Sequence, residues 1–155
     1  MGVRSATVTV GREVEVDLLA RLVDGTRTGE SSCTFLVGEG GLGKSRLLGE
    51  AVAAARRAGI AVAVGRAGLA STAPFALVAE AIRSWLRGHP TTVEPSVYDV
   101  GLRLILPEWE ASEDGRGDLT AGQVRLLALE GVVRLLRAVA AGGGVVLVLD
   151  RKSVV

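Results

Sequence analysis

The stretch Gly38-Glu-Gly-Gly-Leu-Gly-Lys-Ser45 decides the fold. It fits the pattern Gly-x-x-x-x-Gly-Lys-Ser/Thr, follows an apolar run and opens a helical pattern. Its glycines let the backbone curve around phosphates, so that amides at the start of the helix face the anion. Lys44 would bridge β- and γ-phosphate oxygens, and the Ser45 hydroxyl would take a magnesium position. The sequence therefore predicts a phosphate-binding P-loop for ATP with Mg²⁺, formed by Gly38, Glu39, Gly40, Gly41, Leu42, Gly43, Lys44, Ser45 and the adjoining Arg46.

The use of lysine supports this interpretation. The chain has 18 basic residues, and Lys44 and Lys152 are the two lysines among them. Where arginine serves as the general cation, a lysine at the position that the pattern requires indicates that an ammonium is needed there. The alternative is a glycine-rich turn in a chain that contains 21 glycines. That alternative does not explain the lysine.

The remaining pattern predicts an α/β protein. Short apolar runs at Cys33–Val37, Ile60–Val64 and Val145–Leu149 are typical of parallel strands covered on both faces, with Cys33 in the core. Helical patterns separate them, so we expect a three-layer P-loop NTPase fold with a parallel sheet. We also expect Cys33–Val37 and Val145–Leu149 to be adjacent strands. The predicted helices run from Gly11 to Val23 with an end at Asp24-Gly25, from Lys44 to Ala58 with a cap at Gly59, from Pro74 to about Arg87, from Val97 to Leu106, and from Thr120 to about Ala141.

Asp150 follows the last apolar run and has the form of a Walker B carboxylate. Such a carboxylate would hold Mg²⁺ through water beside Ser45. The alternative is an aspartate that merely ends a strand. Asp150-Arg-Lys-Ser-Val-Val155 and the chain end also match the translation of a widely used sequencing adapter. We therefore expect a partial ATPase domain at 1–150, truncated after the Walker B strand, and a non-native tail at 151–155.

The segment Val10-Gly-Arg-Glu13 before the first helix, together with the P-loop, resembles the start of the ATPase domain of LuxR-type regulators. These proteins are AAA-like or STAND ATPases, also grouped as origin-recognition-like AAA ATPases. The resemblance implies that Gly11 and Arg12 lie against the adenine or ribose, and that Arg46 begins the helix beside the phosphates. It also implies a second acidic residue after Asp150, where this chain has Arg151. The resemblance thus implies an ATPase in the full-length parent, no catalytic residue here and no hydrolysis by this chain alone.

Composition limits the partners. The formal net charge of +1 provides no field for gathering nucleic acid or an anionic membrane, so DNA contact would require a missing C-terminal domain. Oligomerisation stays open for a longer parent. The single cysteine, Cys33, and an N-terminus without an apolar run predict a cytoplasmic protein. The second candidate function is a P-loop kinase for small molecules, although such enzymes usually begin at the P-loop strand.

Overall fold

Helices and strands alternate in the computed structural model, which describes residues 11–67, 75–89, 96–109 and 119–151. The helices and strands of these described ranges are α1 (Glu13–Arg27), α2 (Lys44–Arg57), β1 (Ala61–Ala67), α3 (Ala76–Leu86), α4 (Asp99–Ile105), α5 (Ala121–Ala140) and β2 (Val145–Arg151). Within those ranges, none of the helices is long and apolar enough to cross a membrane.

β1 and β2 form a parallel pair. Their register runs from Ala61 opposite Val145 to Ala67 opposite Arg151. The sequence predictions of strands at Ile60–Val64 and Val145–Leu149 are confirmed, and both strands extend beyond the predicted ends. A parallel pair requires a long crossover between its strands, and α3, α4 and α5 lie in that crossover. The protein is therefore an α/β domain with a small parallel sheet.

The third predicted strand is absent from the described sheet. Cys33–Val37 has no strand pairing, and the neighbour of β2 is β1, so both the buried strand and its adjacency to β2 were wrong predictions. Cys33 is exposed rather than in the core, and Phe35 and Val37 are 81% and 92% exposed. Leu36 alone of the three consecutive apolar residues packs on the helices. An apolar run favours a strand, but a strand forms only where a neighbour accepts its hydrogen bonds.

The helix predictions hold with shifted ends. α1 continues through Asp24-Gly25 to Arg27, and the Glu30 amide then donates to the Gly25 carbonyl at 3.0 Å. Gly59, with φ +72°, follows α2 in the left-handed conformation that was predicted. α5 begins after Thr120, as predicted, and Thr120 forms a reciprocal capping box with Gln123. Pro74 lies outside the described residues.

Small apolar contacts hold the helices to each other and to the sheet. Leu19 of α1 packs with Leu47 and Ala51 of α2. Further along the same two helices, Val23 and Ala55 pack with Ile60 and touch Val146 of β2. This pairing fixes the start of α1 relative to the start of α2. A separate cluster joins α3, α4 and α5 and consists of Ala79, Ile82, Ile105, Leu106, Ala128 and Leu135.

Candidate functional site

The loop at 38–43 leads directly into α2. Gly41 and Gly43 have φ of +79° and +78°, a left-handed conformation that side-chain-bearing residues rarely adopt. Gly43 is the residue before the helix, and its carbonyl accepts the amides of Arg46 at 3.0 Å and Leu47 at 3.1 Å. Lys44, Ser45 and Arg46 consequently form the first turn of α2, and the amides that precede Arg46 have no acceptor within the helix. The structure thus places the P-loop residues as one turn at a helix N-terminus.

The first turn of α2 has an unusual charge. Acidic side chains normally occupy this position because they interact favourably with the positive end of the helix dipole, as Glu13 and Glu15 do in α1. The first turn of α2 contains no acidic residue and carries the cations Lys44 and Arg46. The Lys44 ammonium and the positive end of the helix dipole therefore lie at the same place, which favours the binding of an anion there.

The Lys44 ammonium lies over the loop. Its Nζ donates to the carbonyl oxygens of Gly38 at 2.7 Å and Glu39 at 2.6 Å. These contacts hold a flexible side chain in a defined place beside the α2 amides. The ammonium therefore stays next to the glycine loop, where the phosphate-binding pattern requires a lysine.

The start of α1 contacts the same loop. The Arg12 guanidinium donates through one nitrogen to the Leu42 carbonyl and through another to the Glu15 carboxylate, both at 3.2 Å. The Gly11 amide donates to the Glu13 carboxylate at 3.1 Å. Backbone amides of Glu13, Gly11 and Arg12 hold the pKa of the Glu13 carboxyl below its usual range. Arg12, which is distant from the loop in sequence, therefore contacts it in the fold, and Gly11 directly precedes Arg12.

Asp150 lies near the end of β2, opposite Arg66 of β1 in the sheet register. Arg151 follows it within the same strand and is exposed. The ranges that the structure describes contain no group of three or more His, Cys, Asp or Glu side chains that could hold a metal. Magnesium usually uses one or two carboxylates together with phosphates and water, so a hydroxyl at Ser45 and a carboxylate at Asp150 are donors of the kind it takes.

The residues of the loop fit a polyphosphate. A Cβ atom added to Gly41 or Gly43 would meet nothing within 4 Å, so the turn has open space around its left-handed residues. The loop thus combines open space, an ammonium held in place and the amides of a helix start.

The sequence predicted each of these loop residues, but it did not predict the contact from Arg12 to Leu42. That contact joins residues 30 positions apart, and no local pattern encodes it.

The loop, the helix that follows it and the parallel strands define a P-loop NTPase-like α/β domain. A family model described as "AAA ATPase domain" matches residues 8–151. The chain belongs to the AAA ATPase domain family. This membership supports nucleotide binding, typically with Mg²⁺, and at a coarse level a regulatory ATPase. Searches of curated proteins and of solved structures gave no match.

Proposed function

We propose that this chain is the ATP- and magnesium-binding portion of a regulatory switch ATPase, from a LuxR-type transcriptional regulator. The observation that carries the proposal is the Lys44 ammonium, which the Gly38 and Glu39 carbonyls hold beside a left-handed glycine turn at the start of α2. The Lys44 ammonium and the amides of that turn would hold the β- and γ-phosphates. The remaining loop residues would shape the turn.

The topology supports Ser45 and Asp150 as the magnesium ligands of the proposal. The chain reverses at Gly59, so β1 begins at the C-terminal end of α2, where Ile60 packs against Ala55. β2 begins beside β1 because Val145 is opposite Ala61. Strands that start at that end and pack on α2 run back toward its N-terminus. Asp150 is therefore directed toward the end of the domain that carries Ser45.

Binding without turnover is the second part of the proposal. The resemblance to the regulators implies an acidic residue directly after Asp150 that orients the attacking water. In this chain the residue at that position is Arg151. An exposed guanidinium cannot accept a proton from water. In a longer parent, the nucleotide state would be passed to a C-terminal DNA-binding part or to an oligomer. The contact from Arg12, directly before α1, to the loop supports this class over the small-molecule kinase, because a kinase that begins at its P-loop strand has no such preceding segment.

Calorimetric titration of ATP and ADP with Mg²⁺ into the whole chain tests the proposal. Lys44→Ala removes a charge-assisted interaction of about 1.5–3 kcal/mol, so we expect binding to weaken about 10- to 150-fold. Lys44→Arg should also bind poorly, since a planar guanidinium does not replace a compact ammonium in a tight loop. No phosphate release above background is expected from any version.

Arg57→Ala is the matched control, because it removes one positive charge from the exposed C-terminal end of the same helix. It should bind as the parent does. Equal affinity of the parent and Lys44→Arg would contradict the proposed grip on phosphate. Hydrolysis that disappears in Lys44→Ala would contradict the proposed absence of turnover.

A further inference from the structure

The Arg12 side chain contacts the backbone of the loop and not one of its side chains. One terminal nitrogen of the guanidinium donates to the Leu42 carbonyl, and the other donates to Glu15 in the first turn of α1. Both distances are 3.2 Å, and the Arg12 side chain is 35% exposed. The planar fork of arginine can serve two acceptors in different directions at once. Arg12 therefore links the first turn of α1 to the apex of the loop.

This link determines the orientation of one peptide plane. In a trans peptide the C=O of Leu42 and the N–H of Gly43 lie in one plane and point in opposite directions. When Arg12 holds the carbonyl, the Gly43 N–H is directed away from Arg12. The Gly43 carbonyl is held separately, because it accepts the amides of Arg46 and Leu47. The entry into α2 is thus fixed on both sides of Gly43.

The link also has a rigid base. Leu19 of α1 packs with Leu47 and Ala51 of α2, so the two helices cannot slide freely past each other. Arg12 precedes α1 directly, and Glu15 orients its guanidinium. Leu42, by contrast, lies between two left-handed glycines, which give the backbone the greatest freedom to change conformation. The contact connects the rigid helix pair to the most adaptable part of the loop.

We propose that Arg12 is a positioning residue that preorganises the phosphate-binding loop. It acts on the polyphosphate part of the ligand and not on the base. The inference rests on the proposed function, because it assumes that the loop binds phosphates. It differs from the role that the family resemblance implies for Arg12, which is contact with the adenine or ribose.

Inorganic tripolyphosphate separates the two roles, since it has phosphates but neither base nor ribose. Tripolyphosphate and ATP, each with Mg²⁺, are titrated into the whole parent chain, Arg12→Ala and Arg12→Lys. A lost positioning hydrogen bond should weaken both ligands by a similar factor of about 2- to 15-fold. Arg12→Lys should recover little, because an ammonium on a single stem does not hold Leu42 and Glu15 together in the same plane.

Arg21→Ala is the matched control, as it removes an exposed arginine from the middle of α1. Amide hydrogen exchange of the ligand-free proteins gives a second readout. Exchange in the Leu42–Ser45 segment should rise in Arg12→Ala and Arg12→Lys, while Arg21→Ala and the α5 amides of all versions stay unchanged. Thermal melts identify any variant that fails to fold. If Arg12→Ala does not fold, the parent is compared with Arg12→Lys instead.

Weaker binding of ATP with unchanged binding of tripolyphosphate would overturn the inference, because Arg12 would then contact the base or ribose. Unchanged binding of both ligands would overturn it as well, and so would failure of tripolyphosphate to bind the parent. Failure of the proposed function looks different: the parent would not bind ATP, or Lys44→Ala would bind it equally well.

Discussion

Gly101 of α4 lies directly against Ala128 of α5. A Cβ atom at position 101 would overlap the backbone nitrogen of Ala128 and the carbonyl carbon of Leu127. Gly131 makes the reciprocal approach, since its added Cβ would lie 2.6 Å from Leu102 Cγ. Arg134 stacks on the Tyr98 ring beside this crossing, 5.2 Å from the ring centroid. The two helices can come this close because glycine occupies the crossing on each of them.

Gly101→Ala should therefore destabilise the protein. Alanine favours a helix by up to about 1 kcal/mol over glycine, but overpacking against backbone costs about 1–3 kcal/mol, and the backbone of α5 cannot move aside. We expect a lower urea midpoint. Gly122→Ala is the control, because nothing lies within 4 Å of its added Cβ in the first turn of α5. A Gly101→Ala midpoint at or above that of the parent would show that the helices do not cross at these glycines.

Gly41→Ala should impair ATP binding more than stability. The change forces a side chain into φ +79°, a strain of about 1–3 kcal/mol that the loop relieves by changing shape. Gly49→Ala is the matched control. The Cβ added at Gly49 is also in open space, but Gly49 lies within α2, where alanine fits the backbone conformation. Calorimetry should show weakened ATP binding in Gly41→Ala and parental affinity in Gly49→Ala. Parental affinity in both would mean that the left-handed turn is not needed for the ligand.

The exposed segment at Phe35 and Val37 should promote self-association. These side chains are 81% and 92% exposed, on a stretch whose backbone is not paired in the sheet. The double variant Phe35→Ser, Val37→Ser should elute as a monomer at concentrations where the parent forms larger species. Val14→Ser is the control, because Val14 is 76% exposed but lies on α1. If the double variant associates as strongly as the parent, then Phe35 and Val37 do not form the surface through which the chain self-associates.

The ion pair between Arg83 and Glu108 should give a small acid-dependent contribution to stability. Arg83 donates to both carboxylate oxygens, at 2.5 and 3.2 Å, and this hydrogen bonding lowers the pKa of Glu108. A lowered carboxylate pKa stabilises the fold above the unfolded value of about 4.3, and the contribution is lost as the pH falls through the folded pKa. The side chains are 36% and 56% exposed, so we expect less than about 1 kcal/mol.

A double-mutant cycle with Glu108→Gln and Arg83→Gln measures this term. The coupling energy from urea unfolding should be present at pH 7 and should vanish at a pH below the lowered pKa of Glu108. A coupling energy that persists unchanged in acid would show that the pair does not depend on the ionised carboxylate.

Local chemistry explains which elements the sequence could predict. Thr120 and Gln123 cap α5 within four residues, and the loop before Lys44 has the spacing typical of a phosphate-binding turn. Asp24-Gly25 was misleading as a helix end, because the turns that follow still find backbone acceptors: Thr28 donates to the Gly25 carbonyl at 3.0 Å. The true end of α1 depends on such contacts.

Non-local contacts explain the rest. Cys33–Val37 has the composition of a buried strand, yet burial depends on a neighbouring strand and on cover for both faces, neither of which composition specifies. The contact between Arg12 and Leu42 likewise depends on how α1 packs on α2. Of the candidate site, the loop and Lys44 could be predicted from spacing. The contribution of α1 could be inferred only from the resemblance to known regulators.

The two carbonyls that hold Lys44 have a consequence for the heat of binding. The ammonium lies against the negative ends of the Gly38 and Glu39 carbonyl dipoles, so two neutral groups of the loop solvate its charge. A phosphate that draws the ammonium away leaves these dipoles to water. Association then replaces two ion–dipole contacts with a contact between two ions, so the lost carbonyl contacts offset part of the attraction between lysine and phosphate in the measured enthalpy. The heat released on binding should therefore be smaller than a bare contact between an ammonium and a phosphate would give.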